Sequence, residues 1–284
     1  MNAKLLLLID IMSHNLSEIE TPLGTVPHLH LEVVESTNSY AIKMLRNNKS
    51  DFNGEKGFLV TAKDQTSGRG QRDKYWSSSP GQDLTMSWVV KEPPKVEATL
   101  FNMAASLATA NGIKDVADVQ VKVKWPNDVM VWSNGSYRKV SGILVENSWR
   151  GGTWTASVVG IGINVGSRRL SRSYNAISIS EVLSKEFNPN RFIKPIINQL
   201  LSYIKILSGK NGGELVAREF NRELLGKDEC RTFQVAGNEH QGVLKEISFD
   251  GMGVFEWKKE GEHSSPNTRL HSSEVTWVFS NHPH

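Results

Sequence analysis

Along this chain apolar and polar positions alternate, run together, or recur every three to four residues. Each texture predicts an element. LHLEVVE (29–35) reads as a strand, and Ser36, Thr37 and Asn38 behind it offer N-caps to a helix whose Ala41, Met44 and Leu45 fall at helical spacing. GFLVTAKDQ (57–65) is a second strand, apolar first and polar at its end, and DLTMSWVV (83–90) is a third. Residues 98–110 are nearly all apolar, which predicts a buried helix. VQVKVKW (119–125) alternates strictly, the half-buried strand pattern, and KVSGILVEN (139–147) and WTASVVGIGINV (154–165) are further strands. Ile193, Ile196, Ile197, Leu200, Leu201, Ile204 and Leu207 then form one helical stripe, and 214–225 a second amphipathic helix with Gly226 in a C′ position.

After about residue 230 the texture changes. FQVAG, HQGVLKEIS, GVFEWK and EVTWVF are short runs separated by Gly, Asn and Asp turns, as in a small all-β module. The pattern divides the chain into a polar leader (1–29), a main domain (30–226) and a C-terminal module (231–284). The leader is expected to leave no room for a folded DNA-binding unit before the first strand.

Composition narrows the function. A length of 284 residues suits one large domain with a smaller one attached, and 38% apolar residues are enough for a packed core. The formal net charge of +3 is small for a dedicated nucleic-acid binder and leaves room for a local cationic site. Cys230 stands alone, so no internal disulfide and no Cys cluster for a metal can form. The eight histidines are spread along the chain, and no metal site is expected. The apolar run 5–9 is too short for a signal peptide, no run approaches membrane-spanning length, and a cytoplasmic protein is expected.

Several segments could carry chemistry. In TSGRGQRDKYW (66–76), Gly68 and Gly70 allow close backbone approach to an anion, Arg69 and Arg72 offer planar forks, and Trp76 could stack on a flat ring. Taken alone, the same segment is a polar hairpin. It is neither a Walker loop nor a dinucleotide fingerprint. KWPND (124–128) ends a strand, and a lysine there can balance developing charge. Lys122 and Lys124 share a strand face. Gly142 in SGILVEN, and Gly160, Gly162 and Asn164 in GIGIN, open strand faces to a ligand or to a neighbouring backbone.

Taken in order, ESTN, DQTSGRG with its tryptophan, KWPND, GILVE and GIGIN resemble the biotin–protein ligases over residues 35–165, in the short form without an N-terminal DNA-binding domain. The resemblance implies an α+β fold: a mixed β-sheet with flanking helices, of the class II synthetase-like kind, plus a C-terminal SH3-like barrel. It implies Mg·ATP-dependent formation of biotinyl-5′-AMP, then transfer of biotin to a lysine of a biotin carboxyl carrier protein, as on acetyl-CoA carboxylase. Biotin and ATP are then substrates, Mg2+ accompanies ATP, a homodimer is possible, and no DNA or membrane partner is expected.

Carried over by residue, Ser36, Thr37, Asn38 and Gln65 match the biotin-contacting segments. Gly68, Arg69, Gly70 and Gln71 match the loop that closes over biotin and the intermediate. Lys124 matches the lysine bridging carboxyl and phosphate and, with Arg69, is the catalytic candidate. Arg72, Trp76 and Asn164 match positions near the adenylate, and Gly142, Gly160 and Gly162 the pocket floor. Many relatives read GRGRRG where this chain reads GRGQRD, so Gln71 and Asp73 depart from the pattern and Arg72 or Lys74 is expected to supply the missing charge. Competing readings are a lipoate– or octanoate–protein ligase, a nucleic-acid binder stacking Tyr75, Trp76 and Trp257 on bases, and a non-catalytic biotin binder.

Overall fold

The polar stretch ahead of the first expected strand is itself β-structure. Asn15–Thr21 (β1) turns back into Gly24–Val34 (β2), and the two pair antiparallel. The expected leader therefore gives its second half to the sheet. Its sequence hides this because β1 is an edge strand: Leu16 is exposed and Ile19 is only partly buried, so no apolar face is needed. The computed structural model describes residues 15–22, 24–46, 57–72, 74–167, 175–258 and 267–279. The apolar run 5–9 lies outside them.

Helix α1 (Thr37–Arg46) links β2 to the parallel strand β3 (Gly57–Gln65), and β4 (Leu84–Lys91) runs back beside it. The long helix α2 (Ala98–Val116) follows, then β5 (Val121–Lys124) and β6 (Asp128–Ser133). Strand β6 was hidden from the pattern because it restarts directly after the KWPND turn. The longest hairpin is β7 (Ser136–Arg150) with β8 (Thr153–Ile163). The eight strands lie in the order β1-β2-β3-β4-β8-β7-β6-β5, and all pairs except β2–β3 are antiparallel. A short helix α3 (Ile179–Leu183) precedes α4 (Ile193–Leu207), whose bounds match the apolar stripe, and α5 (Gly212–Glu223).

The two faces of the sheet are covered unequally. One is buried under α2, α4 and α5, where Leu59, Met86, Trp88, Val159 and Ile161 meet Phe101, Leu107, Ile196 and Leu200. On the other, α1 sets Ala41 and Met44 against Leu31, Val60, Ala62, Val89 and Val158. Ten helical residues extend about 15 Å, the width of roughly three strands, and α1 lies over β3, β4 and β8.

The C-terminal module is a five-stranded antiparallel sheet of β9 (Cys230–Val235), β10 (Asn238–Ile247), β11 (Gly253–Trp257), β12 (Thr268–Leu270) and β13 (Val275–Trp277). Phe233, Phe255 and Trp277 form its aromatic centre. The module shares the main core: Trp125 packs on Phe255 and its indole N–H donates to Gly251 O at 3.2 Å, while the Asn221 amide bonds Ile247 through both N–H and C=O. No helix among the described residues is long and apolar enough to cross a membrane.

Helices α2 and α4 cross at Gly112, where an added Cβ would stand 2.5 Å from Ile196 Cγ1 and 2.9 Å from its Cα. Gly112→Ala would gain about 1 kcal/mol of helix propensity, but forcing the helices apart costs about 1–3 kcal/mol. Urea unfolding is expected to show a net loss of stability. A stabilised variant would show that the crossing is not tight.

Candidate active site

Beside α1 the same face of the sheet carries bare backbone. Gly142 on β7 pairs in register with Gly162 on β8, and the Trp76 indole lies across both. A Cβ on Gly162 would stand 2.5 Å from Trp76 Cζ2, and one on Gly142 3.1 Å from Cζ3. The buried Trp76 Nε1 has no hydrogen-bond partner among the described residues. Gly160 does something different: its missing side chain makes room for the Asn38 amide, whose Cγ would be 2.7 Å from a Cβ there. Two of the three expected floor glycines thus lie under the indole, and the third under a polar side chain.

That polar side chain belongs to a buried corner at the start of α1. Thr37 donates to Gln65 Oε1 from both its backbone N–H (2.8 Å) and its hydroxyl (3.0 Å). With Oε1 doubly occupied, the Gln65 amide is oriented with its N–H2 toward Gly68. Ser87 Oγ donates to Asn38 Oδ1 at 2.5 Å and lies 2.7 Å from Thr37 Oγ1, and Asn38 Nδ2 donates to Leu144 O and to Glu146 Oε2. Ser36, Thr37, Asn38, Gln65 and Ser87 are all buried. Sequence reasoning missed Ser87 and Glu146, because a polar residue inside an apolar strand gives no signal of what it faces.

The described residues of 66–76 form a small hairpin over this floor. Gly70 N bonds Lys74 O at 2.6 Å, Trp76 N bonds Gly68 O at 2.9 Å, and Thr66 and Ser67 root the hairpin on Val34 and Glu35. A Cβ on Gly70 would meet Lys74 O at 3.1 Å, so this glycine serves the hairpin's own closure. The Arg69 fork spans both oxygens of Glu146, at 3.0 and 3.3 Å. Both partners keep partial solvent access, so this pair contributes little stability and can be exchanged. Arg72 turns to the C-terminal module and bonds Ser272. Gln71 is half-buried, Lys74 is exposed, and Asp73 lies outside the described residues.

The cationic element is a lysine pair around one carboxylate. Asp128 sits 2.6 Å from Lys139 Nζ and 3.3 Å from Lys124 Nζ. Burial alone would raise the Asp128 carboxyl, but Lys124 and Lys139 outweigh it and hold the group below the usual carboxylate range. Lys139 Nζ lies 5.6 Å from the Trp76 ring centre and 3.3 Å from where a Gly142 Cβ would be, against the floor. Lys124 Nζ faces Trp277 and Phe279 of the C-terminal module, at 6.0 and 5.8 Å. Lys139 was not among the sequence candidates. Its one signal was its place three residues before Gly142 in KVSGILVE. Lys122 points elsewhere, to Glu223 and Arg222 O on α5.

Asn164 is buried at the end of β8, its backbone tied to Val140 and Ile179. Beyond it, Asp83 Oδ1 accepts from the N–H groups of Val165, Gly166 and Ser167, while Oδ2 accepts from Ser79 N and Ser167 Oγ. This carboxylate staples the end of β8 to the segment following Trp76, so Trp76 and Asn164 are held relative to one another. Among the described residues no group of three His, Cys, Asp or Glu side chains is placed to hold a metal.

The lowered Asp128 value fixes a sign. Ionised Asp128 stabilises the fold above the unfolded-chain value of about 3.9, and that contribution fades as pH falls through the folded value. In denaturant unfolding from pH 7 to 2, the advantage of the native protein over Asp128→Asn is expected to shrink below about pH 4. A difference constant to pH 2 would show that the lysines do not act through this charge.

The site can now be set beside known proteins. The model of the Biotin/lipoate A/B protein ligase family matches residues 31–164. The bifunctional ligase/repressor BirA of Bacillus subtilis is 33% identical over 138 residues, which cover 48% of this chain and 40% of that protein. The biotin–[acetyl-CoA-carboxylase] ligase of Paracoccus denitrificans is 33% identical over 134 residues, covering 46% of this chain and 51% of that one. The chain thus spans about two fifths to one half of the length of these curated relatives. A biotin protein ligase from Aquifex aeolicus, solved with biotin and ATP, superposes with a TM-score of 0.68 at 21% identity, over 89% of this chain and 99% of that one, which establishes a shared fold. Through residues 31–164, the chain is similar to the Biotin/lipoate A/B protein ligase family.

Proposed function

We propose that the protein is an ATP-dependent biotin–protein ligase. The observation that carries this reading is the conjunction of three parts on one sheet face: the buried amide and hydroxyl corner, the bare floor under Trp76, and the lysine pair beside it. Biotin has a cyclic urea, an apolar tail and a carboxylate. The corner offers hydrogen bonds for the urea, with Gln65 N–H2 oriented as a donor. The floor admits a flat or narrow group, and the lysines lie where a carboxylate and a phosphate would otherwise repel one another. The curated relatives and the Aquifex structure support the same assignment.

In the first step a biotin carboxylate oxygen attacks the α-phosphorus of Mg·ATP. The bond from that phosphorus to the bridging oxygen breaks, and pyrophosphate leaves. Lys139, which lies against the Trp76 floor, is assigned to the reacting groups, and Lys124 supports it through their shared carboxylate Asp128. Arg69 exchanges Glu146 for the anionic intermediate, and the hairpin shields the mixed anhydride from water. Trp76 and Asn164 flank the adenylate. In the second step the ε-amine of an acceptor lysine attacks the acyl carbon, loses a proton, and AMP departs. The acceptor we assign is a biotin carboxyl carrier domain, and the compartment a cytoplasm.

Lys139→Ala is expected to slow biotin-dependent pyrophosphate release by roughly 10²–10³-fold, the loss typical of one preorganised charge stabiliser. Lys124→Ala should cost less. A Lys139→Ala enzyme within tenfold of the native rate would contradict the role. Thermal unfolding should shift upward with biotin and not with lipoate, since a ligand stabilises only a state it binds. A shift with lipoate alone would favour the lipoate reading.

A further inference from the structure

The two arginines of the hairpin are held by different parts of the molecule. Arg69 is tied to β7 of the main sheet through Glu146. Arg72 crosses to the C-terminal module, where one guanidinium nitrogen donates to Ser272 O at 2.8 Å and another to Ser272 Oγ at 2.7 Å. To reach it, the backbone of Arg72 adopts φ 55, a left-handed conformation disfavoured for a residue with a Cβ. The receiving turn is itself braced. Glu274 N bonds His271 O at 2.9 Å, His271 N bonds Glu274 Oε2 at 2.6 Å, and Ser273 Oγ bonds His271 Nδ1 at 2.7 Å. The strand that follows brings Trp277 and Phe279 over Lys124. One edge of the module thus meets both the tip of the hairpin and the lysine pair.

Resting on the ligase reading above, we infer that Arg72 and Ser272 form a catch that holds the hairpin closed over the acyl-adenylate. The C-terminal module then sets how long the intermediate is retained. The charge missing at Gln71 is not replaced by Arg72, whose fork is committed to Ser272. Retention comes from closure between two parts of the molecule instead. Arg72 and Ser272 are positioning residues. They act through the hairpin that carries Arg69 and Trp76.

The test uses the full chain with Arg72→Lys, Arg72→Gly, Ser272→Ala and Ser272→Thr. Amide hydrogen exchange of residues 66–76 is followed without ligand. Escape of biotinyl-5′-AMP into solution is followed with biotin and ATP and no acceptor. Arg72→Lys keeps the charge and loses the fork, and Arg72→Gly also relaxes the backbone. Both are expected to raise hairpin exchange and adenylate escape by roughly three- to tenfold, the scale of a charge-assisted bond pair open to solvent. Ser272→Ala should move both readouts the same way by less, with first-turnover pyrophosphate release unchanged, and Ser272→Thr should restore native behaviour. Native exchange and escape in Arg72→Lys would overturn the catch. A native protein that makes no adenylate would overturn the ligase reading instead, and the exchange arm would still decide the catch.

Discussion

Gly142 and Gly162 face each other across β7 and β8 and leave a patch of the sheet without side chains, and Trp76 lies on it. The rest of the site depends on that patch. The indole can approach only because no Cβ stands in its way, and its position fixes where the 66–76 hairpin runs. Helix α1 packs on β3, β4 and β8, and at Gly142 and Gly162 it is Trp76, not the helix, that meets the sheet. The same helix brings Thr37 and Asn38 to the edge of this patch and so furnishes the polar corner.

The charges are arranged on the same economy of space. Asp128 is nearly buried, and its ionised form persists because two ammonium groups lie within 3.3 Å. Removing one lysine leaves the other still paired, whereas removing the carboxylate leaves two cations to repel each other. The pair is therefore a preformed cationic locus whose position depends on Asp128, at the end of β6, and on β7. The C-terminal module closes the far side of Lys124 with aromatic faces, which exclude water and favour a cation.

Much of this was legible in the sequence, for identifiable reasons. The amphipathic stripe of α4 gave its bounds because every third or fourth residue must enter the core. Trp76 and Arg69 stood out in a polar loop between two strands, and Gly142, Gly160 and Gly162 stood out inside apolar strands. Lys139 did not stand out: a lone lysine at the start of a strand has the same pattern as a solvated one, and only the fold brings it to Trp76. Ser87 and Glu146 were hidden because their partners are far away in sequence, Asn38 on α1 and Arg69 on the hairpin. Strand β1 was hidden because an edge strand need not alternate. The link from Arg72 to Ser272, two hundred residues apart, could not be read from local pattern at all.

The most direct measurement of the central claim is calorimetric titration of biotin, followed by ATP, into the native protein and Gly162→Ala. Gly162 has an ordinary strand conformation, so alanine should leave folding stability intact while its Cβ, 2.5 Å from Trp76 Cζ2, pushes the indole off the floor. Retained stability with biotin or ATP affinity reduced by roughly tenfold or more is the predicted result, in line with the cost of a misplaced positioning group. Native affinity for both ligands in Gly162→Ala would show that the bare floor under Trp76 is not where they bind.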